Sequence, residues 1–71
     1  MRDVGIRDES IRLGQLLKLA GLIDTGSDAK LLLDDGVVTV NGEVERRRGR
    51  QLHIGDVVRL GGETVRVSST S

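Results

Sequence analysis

The sequence predicts a small α+β domain, in which a two-helix hairpin packs on a sheet of four to five short, mostly antiparallel strands. Three observations carry this. Apolar residues from Leu13 to Ala20 recur at helical spacing. From Val37 onward, Val and Thr alternate with the period of a strand. The pairs Asn41-Gly42 and Gly61-Gly62 interrupt those runs as tight hairpins do, because both residue types tolerate positive φ.

Residues 1–10 are polar, and after Met1 only Val4 and Ile6 are sizeable apolar side chains. They are expected to form a flexible arm or an edge strand. Leu13, Leu16, Leu17 and Ala20 then share one helical face, and Gly21 is placed to end that helix. Thr25 and Asp28 have the spacing of a capping box, opening a second helix that stops at Gly36. Ala29, Leu32 and Leu33 are its inward face. In the following strand Val38 and Val40 point one way and Val37 and Thr39 the other. After an arginine block, Leu52 and Ile54 are expected to alternate inward before a turn at Gly55-Asp56. Residues 57–60 and 64–67 form the last two strands. The domain is expected to span 11–67, with 68–71 a polar tail. Its expected core is Leu13, Leu16, Leu17, Ala20, Ala29, Leu32, Leu33, Val38, Val40 and Ile54, with Val58 or Leu60.

A chain of 71 residues has a thin core, since a domain of this size buries only about 60% of its unfolded surface. The absence of Cys excludes disulfides, thiolate metal sites and a cysteine nucleophile. With one His any metal site would have to be carboxylate-based, and no nucleophile–base pair, metal cluster or phosphate-cradling glycine loop is present. No catalytic residue, metal or cofactor is expected, and the chain does not read as an enzyme. No apolar run approaches the roughly 18 residues of a membrane span, and the N-terminus lacks a signal-peptide apolar region, so the expected location is the cytoplasm.

Eleven basic and eleven acidic side chains cancel. Their distribution does not. Arg46, Arg47, Arg48 and Arg50 crowd one short segment, while the acids are scattered. A block of fixed positive charge after a hairpin suggests a surface that meets phosphates, more than is needed to keep a sheet edge from pairing. Lys30 stands close to a helix N-terminus, where exposed N–H groups favour anions. Thr25 and Ser27 are helix caps whose hydroxyls can also donate to a phosphate. The four arginines and Lys30 are expected to form one positive surface, with most acids elsewhere. There is no Phe, Tyr or Trp, so bases cannot be gripped by aromatic stacking.

Taken in order, several short segments resemble the S4 RNA-binding domain family. They are Leu13-Gly14-Gln15-Leu16-Leu17-Lys18, Gly21, Thr25-Gly26 with Ala29-Lys30, Gly36-Val37-Val38-Thr39-Val40-Asn41-Gly42, Arg47-Arg48-Gly49-Arg50 and Gly55-Asp56-Val57-Val58. The likeness covers most of the chain and is to the small stand-alone bacterial members of the YbcJ/YaaA type. It implies two helices on a small, highly bent sheet, the S4 (αL) fold, with RNA met at the start of the second helix and by basic residues near the hairpin. It further implies roles for Arg12, which precedes Leu13 as the family's leading Arg does, for Lys18 of the Leu-Leu-Lys motif, and for Lys30. Gly14 departs from the acidic residue common in larger members, and Asp28 puts a negative charge near the implied phosphate site.

The expected function is therefore non-enzymatic binding of structured RNA, ribosomal RNA or a ribosomal particle, through its phosphate backbone. The candidate residues are Arg12, Lys18, Thr25, Ser27, Lys30, Arg46, Arg47, Arg48 and Arg50. RNA is the expected partner of a monomer, without membrane or small-molecule substrate. The alternative is a protein-interaction or small carrier-type β domain, because residues 38–43 resemble the opening of small sulfur carriers. Those proteins need a C-terminal Gly-Gly, whereas Gly61-Gly62 is internal here.

Overall fold

The computed structural model describes residues 1–70, and it begins with a strand, β1 (Arg2–Ile6), followed by a second, β2 (Ser10–Arg12). Two helices come next, α1 (Leu13–Leu19) and α2 (Gly26–Asp34). The remaining strands are β3 (Val38–Val40), β4 (Glu43–Val44), β5 (Gln51–His53), β6 (Val57–Leu60) and β7 (Glu63–Ser69). The chain is α+β, as its sequence predicts, with the sheet order β1-β7-β6-β3-β4 and a separate β2-β5 ribbon.

Local chemistry fixes the helix ends. At α2 the Thr25 hydroxyl accepts from the Asp28 N–H and the Asp28 carboxylate accepts from the Thr25 N–H, both at 3.3 Å. At the other ends, Gly21 and Gly36 both have φ of 73°. There the Gly21 N–H donates to the Lys18 carbonyl and the Leu22 N–H to Leu17, at 3.0 and 2.9 Å. Gly36 and Val37 repeat the pattern onto Leu33 and Leu32. These paired bonds satisfy carbonyls that a helix end leaves bare, and they need a left-handed residue that only glycine adopts without cost.

Asn41 (φ 52°) and Gly42 (φ 88°) make the β3–β4 hairpin, and Gly61-Gly62 turns β6 into β7. Asn41 does more than turn the chain. Its side chain donates to Asp56 at 3.1 Å and accepts from the Val57 N–H at 2.9 Å, tying the hairpin to the turn before β6.

One sheet face carries the core. Val38, Val40, Val58, Val65 and Val67 meet Leu13, Leu16 and Leu17 of α1 and Ala29 and Leu33 of α2, all buried. The helical spacing therefore assigns the inward face of α1 correctly, with Leu32 only partly buried on α2.

Two expectations are corrected, and the choice left open between an arm and an edge strand at the N-terminus is decided for the strand. Ile54 is not in the core but 47% exposed, because β5 ends at His53 and Ile54 lies in the turn with Gly55; Leu52, fully buried, fills the place. Residues 2–6 are no arm. They form β1, the edge strand, which pairs in parallel with β7 and buries Val4 and Ile6, so the folded unit begins well before residue 11. The expected polar tail is also shorter than 68–71. Strand β7 continues through Ser69, and the Thr70 N–H donates to the Ile6 carbonyl at 3.1 Å, while Ser71 lies outside the described residues.

Candidate nucleic-acid interface

Between β4 and β5 the chain runs through residues 45–50, which hold all four clustered arginines. This loop is seated on the start of α1. The Leu13 N–H donates to the Arg50 carbonyl at 2.8 Å and the Gly14 N–H to the Arg48 carbonyl at 3.0 Å. Two of the donors that a helix N-terminus leaves unpaired are thereby satisfied by the arginine loop itself.

The side chains divide. Arg48 runs across Gly14 toward the N-terminus of α2, where its guanidinium stands 3.6 Å from the β-carbon position of Gly26. It lines one hollow with Arg12, Gln15, Lys18 and Gly49, and an adjoining one with Lys30, Asp34 and Arg46. Arg46 lies over Gly36, leaving 2.7 Å from a guanidinium nitrogen to where a β-carbon would be. Arg12, Lys18, Arg48, Lys30 and Arg46 thus form one band of positive charge that runs along α2, with Arg46 at its far end and Arg12, Lys18 and Arg48 at its first turn. Gly26 and Ser27 present first-turn N–H groups there with no intrahelical acceptor.

Arg47 and Arg50 face another group, Glu45. The carboxylate takes Arg50 Nη1 at 2.8 Å and Arg47 Nε at 3.3 Å. Those bonds, from Arg50 first and then Arg47, hold its pKa down to about 2 against the opposing effect of burial. The Arg47 side chain remains 77% exposed, and Arg50 is half-buried.

The single surface expected of the four arginines and Lys30 is accordingly made by Arg46, Arg48 and Lys30 with Arg12 and Lys18 added, while Arg47 and Arg50 are neutralised in part. Asp34 intrudes on it. Of the two cap residues, Thr25 has its hydroxyl engaged with Asp28, and Ser27 is exposed in the first turn. The reading of the sequence missed Gln15 as a wall residue, Gly14 and Gly26 as floor, and Glu45 as the hub of the loop. Gly14 carried a signal: a glycine inside a helix is costly unless something passes close by. Among the described residues no group of His, Asp and Glu is arranged to hold a metal, and no helix is long and apolar enough to cross a membrane.

The chain is similar to several known proteins. A family model described as the S4 domain matches residues 4–68. A Bacillus subtilis (strain 168) protein named as a probable ribosome maturation protein, RlbA, is 49% identical over 59 residues, covering 83% of each chain. A putative RNA-binding protein of Escherichia coli (strain K12), YbcJ, is 37% identical over 57 residues, covering 80% of this chain and 81% of that one. Among solved structures, the 30S ribosomal protein S4e of Thermoplasma acidophilum superposes with a TM-score of 0.63 at 28% identity. The match covers 84% of this chain but only 32% of S4e.

Proposed function

The chain belongs to the S4 domain family, and we propose that it is a non-enzymatic RNA-binding protein that takes structured RNA, in a ribosomal particle, by its phosphate backbone. The observation that carries this is the gathering of Arg12, Lys18, Arg48, Lys30 and Arg46 along α2, from its first turn, where Arg48 reaches Gly26, to Gly36 just past its end, in a chain with no net charge. Arg12, Lys18 and Arg48 beside the bare N–H groups of the first turn form an anion site, and Lys30 and Arg46 extend the positive charge along the helix. Arginine forks straddle a phosphate with two parallel bonds, lysine adds a mobile point charge, and the Gly26 and Ser27 N–H groups fix register. Bases are not stacked on aromatic rings, because the chain has no aromatic side chain. Shape and the spacing of phosphates then select the RNA, which favours folded over single-stranded targets. The names of the relatives, one a ribosome maturation protein and one an RNA-binding protein, support the ribosomal particle as the place of action.

The test is a salt titration of binding to a structured ribosomal RNA fragment, wild type beside the double variant Arg48→Gln with Lys30→Gln. Neutralising three to five phosphates gives a slope of log affinity against log salt of about −2 to −4. The double variant is expected to flatten it by roughly one to two units and to weaken all RNAs alike. If it retains both affinity and slope, the band is not the RNA site.

A further inference from the structure

Glu45 is the only buried charged residue among those described, 7% exposed, and it sits inside the arginine loop. A buried carboxylate is costly unless its lone pairs are filled. Here they are. Oε2 accepts the backbone N–H groups of Arg46 and Arg47 at 3.0 and 3.2 Å, and Arg47 Nε at 3.3 Å. Oε1 accepts Arg50 Nη1 at 2.8 Å and Arg47 Nη2 at 3.4 Å. One side chain therefore holds both ends of the 46–50 segment, which has no strand pairing of its own. The loop's carbonyls are fixed from the opposite side by the N–H groups of Leu13 and Gly14. With the backbone held between these two anchors, Arg48 runs across Gly14 toward α2 and Arg46 over Gly36.

We propose that Glu45 is a positioning residue of the phosphate-binding surface: it pins the backbone of residues 46–50, and so aims Arg46 and Arg48, without touching RNA itself. The proposal rests on the RNA-binding reading above. Simple charge counting makes the opposite statement, that a carboxylate among arginines repels phosphate and its removal strengthens binding. The geometry decides against this, since the carboxylate is turned inward onto Arg47 and Arg50, away from the hollows that Arg46 and Arg48 line. A loop already held in its bound shape does not lose that freedom when RNA arrives. With its carboxylate held ionised by Arg50 and Arg47, the clamp is charged throughout the neutral range.

The experiment compares the wild type with Glu45→Gln, Glu45→Asp and Glu43→Gln. It reads affinity for one structured ribosomal RNA fragment at fixed salt and temperature, and amide hydrogen exchange without RNA. Glu43 is exposed, so Glu43→Gln removes the same charge from a place with no clamp. Glu45→Gln is expected to weaken binding about tenfold despite its more positive charge, because the loop must then be ordered when RNA arrives. Glu45→Asp keeps the charge but shortens the reach, and is expected to weaken binding also; it carries the comparison should Glu45→Gln not fold. Glu43→Gln is expected to bind as well as wild type or better. Amides of Arg46 and Arg47 should exchange roughly tenfold faster in both Glu45 variants while Val58 and Val65 stay protected. Unchanged or tighter RNA binding by the Glu45 variants overturns the proposal, as does unchanged exchange at Arg46 and Arg47. A wild type that binds no RNA while those amides are protected fails the RNA reading, and this proposal with it. The exchange data then show that the fault is not in the clamp.

Discussion

The stem of Arg48 crosses Gly14 so closely that a β-carbon at position 14 would stand 2.5 Å from Arg48 Cγ and 3.2 Å from its Cδ. The same two residues share a backbone bond of 3.0 Å, from the Gly14 N–H to the Arg48 carbonyl. Helix α1 thus has a glycine in its first turn because the arginine loop is laid directly on it. A larger side chain there would lift Arg48 away.

Gly14→Ala is therefore expected to lower stability by about 1–2 kcal/mol, since overpacking outweighs a helix-propensity gain of at most about 1 kcal/mol. Thermal denaturation measures it. A melting temperature above that of wild type would mean that Arg48 swings aside freely.

Two neighbours in β5 and its turn should behave oppositely. Leu52 is fully buried and Ile54 is 47% exposed. Leu52→Ala is expected to cost about 2–5 kcal/mol, enough to unfold much of so small a domain, and Ile54→Ala less than about 1 kcal/mol. Denaturant titrations of the two variants check the assignment, which fails if the order is reversed.

Acid should loosen the protein through Glu45. Its folded pKa of about 2 lies below the ordinary 4.5, so its contribution is complete above about pH 4.5 and is lost as pH falls toward 2. Asp56 adds to the same trend. Burial pushes its pKa up, but bonds from the His53 N–H at 2.8 Å and the Asn41 amide at 3.1 Å outweigh that and leave it lowered. Melting temperatures from pH 7 to 2.5 should fall more steeply for wild type than for Glu45→Gln. Parallel curves would show that Glu45 is not paired in solution.

Adjacent arginines should differ in their use. Arg48→Ala is expected to flatten the salt dependence of RNA binding by about one unit, as a lost phosphate contact does. Arg47→Ala should flatten it by less, because Arg47 is already paired with Glu45 at 3.3 Å. Arg48→Ala should change stability little, whereas Arg47→Ala also takes a partner from the buried Glu45 carboxylate and should lower it. Equal effects would mean that the two side chains face RNA alike.

What the sequence alone determined is what depends on neighbours a few residues apart. The Thr25–Asp28 box, the glycines that end both helices, the Asn41-Gly42 turn and the buried face of α1 each follow from spacing and from which residues tolerate positive φ. The basic character of the loop was equally plain. Tertiary structure decided the rest, because its partners are far apart in the chain. Strand β1 has only Val4 and Ile6 to mark it, and gains its place by pairing in parallel with β7 at the opposite end of the sequence. Ile54 continues an alternating pattern that a turn has already ended. Arg47 and Arg48 are indistinguishable as letters. One is drawn to Glu45 and the other is carried over Gly14, and that division is set by a carboxylate buried on one side of the loop and a helix N-terminus on the other.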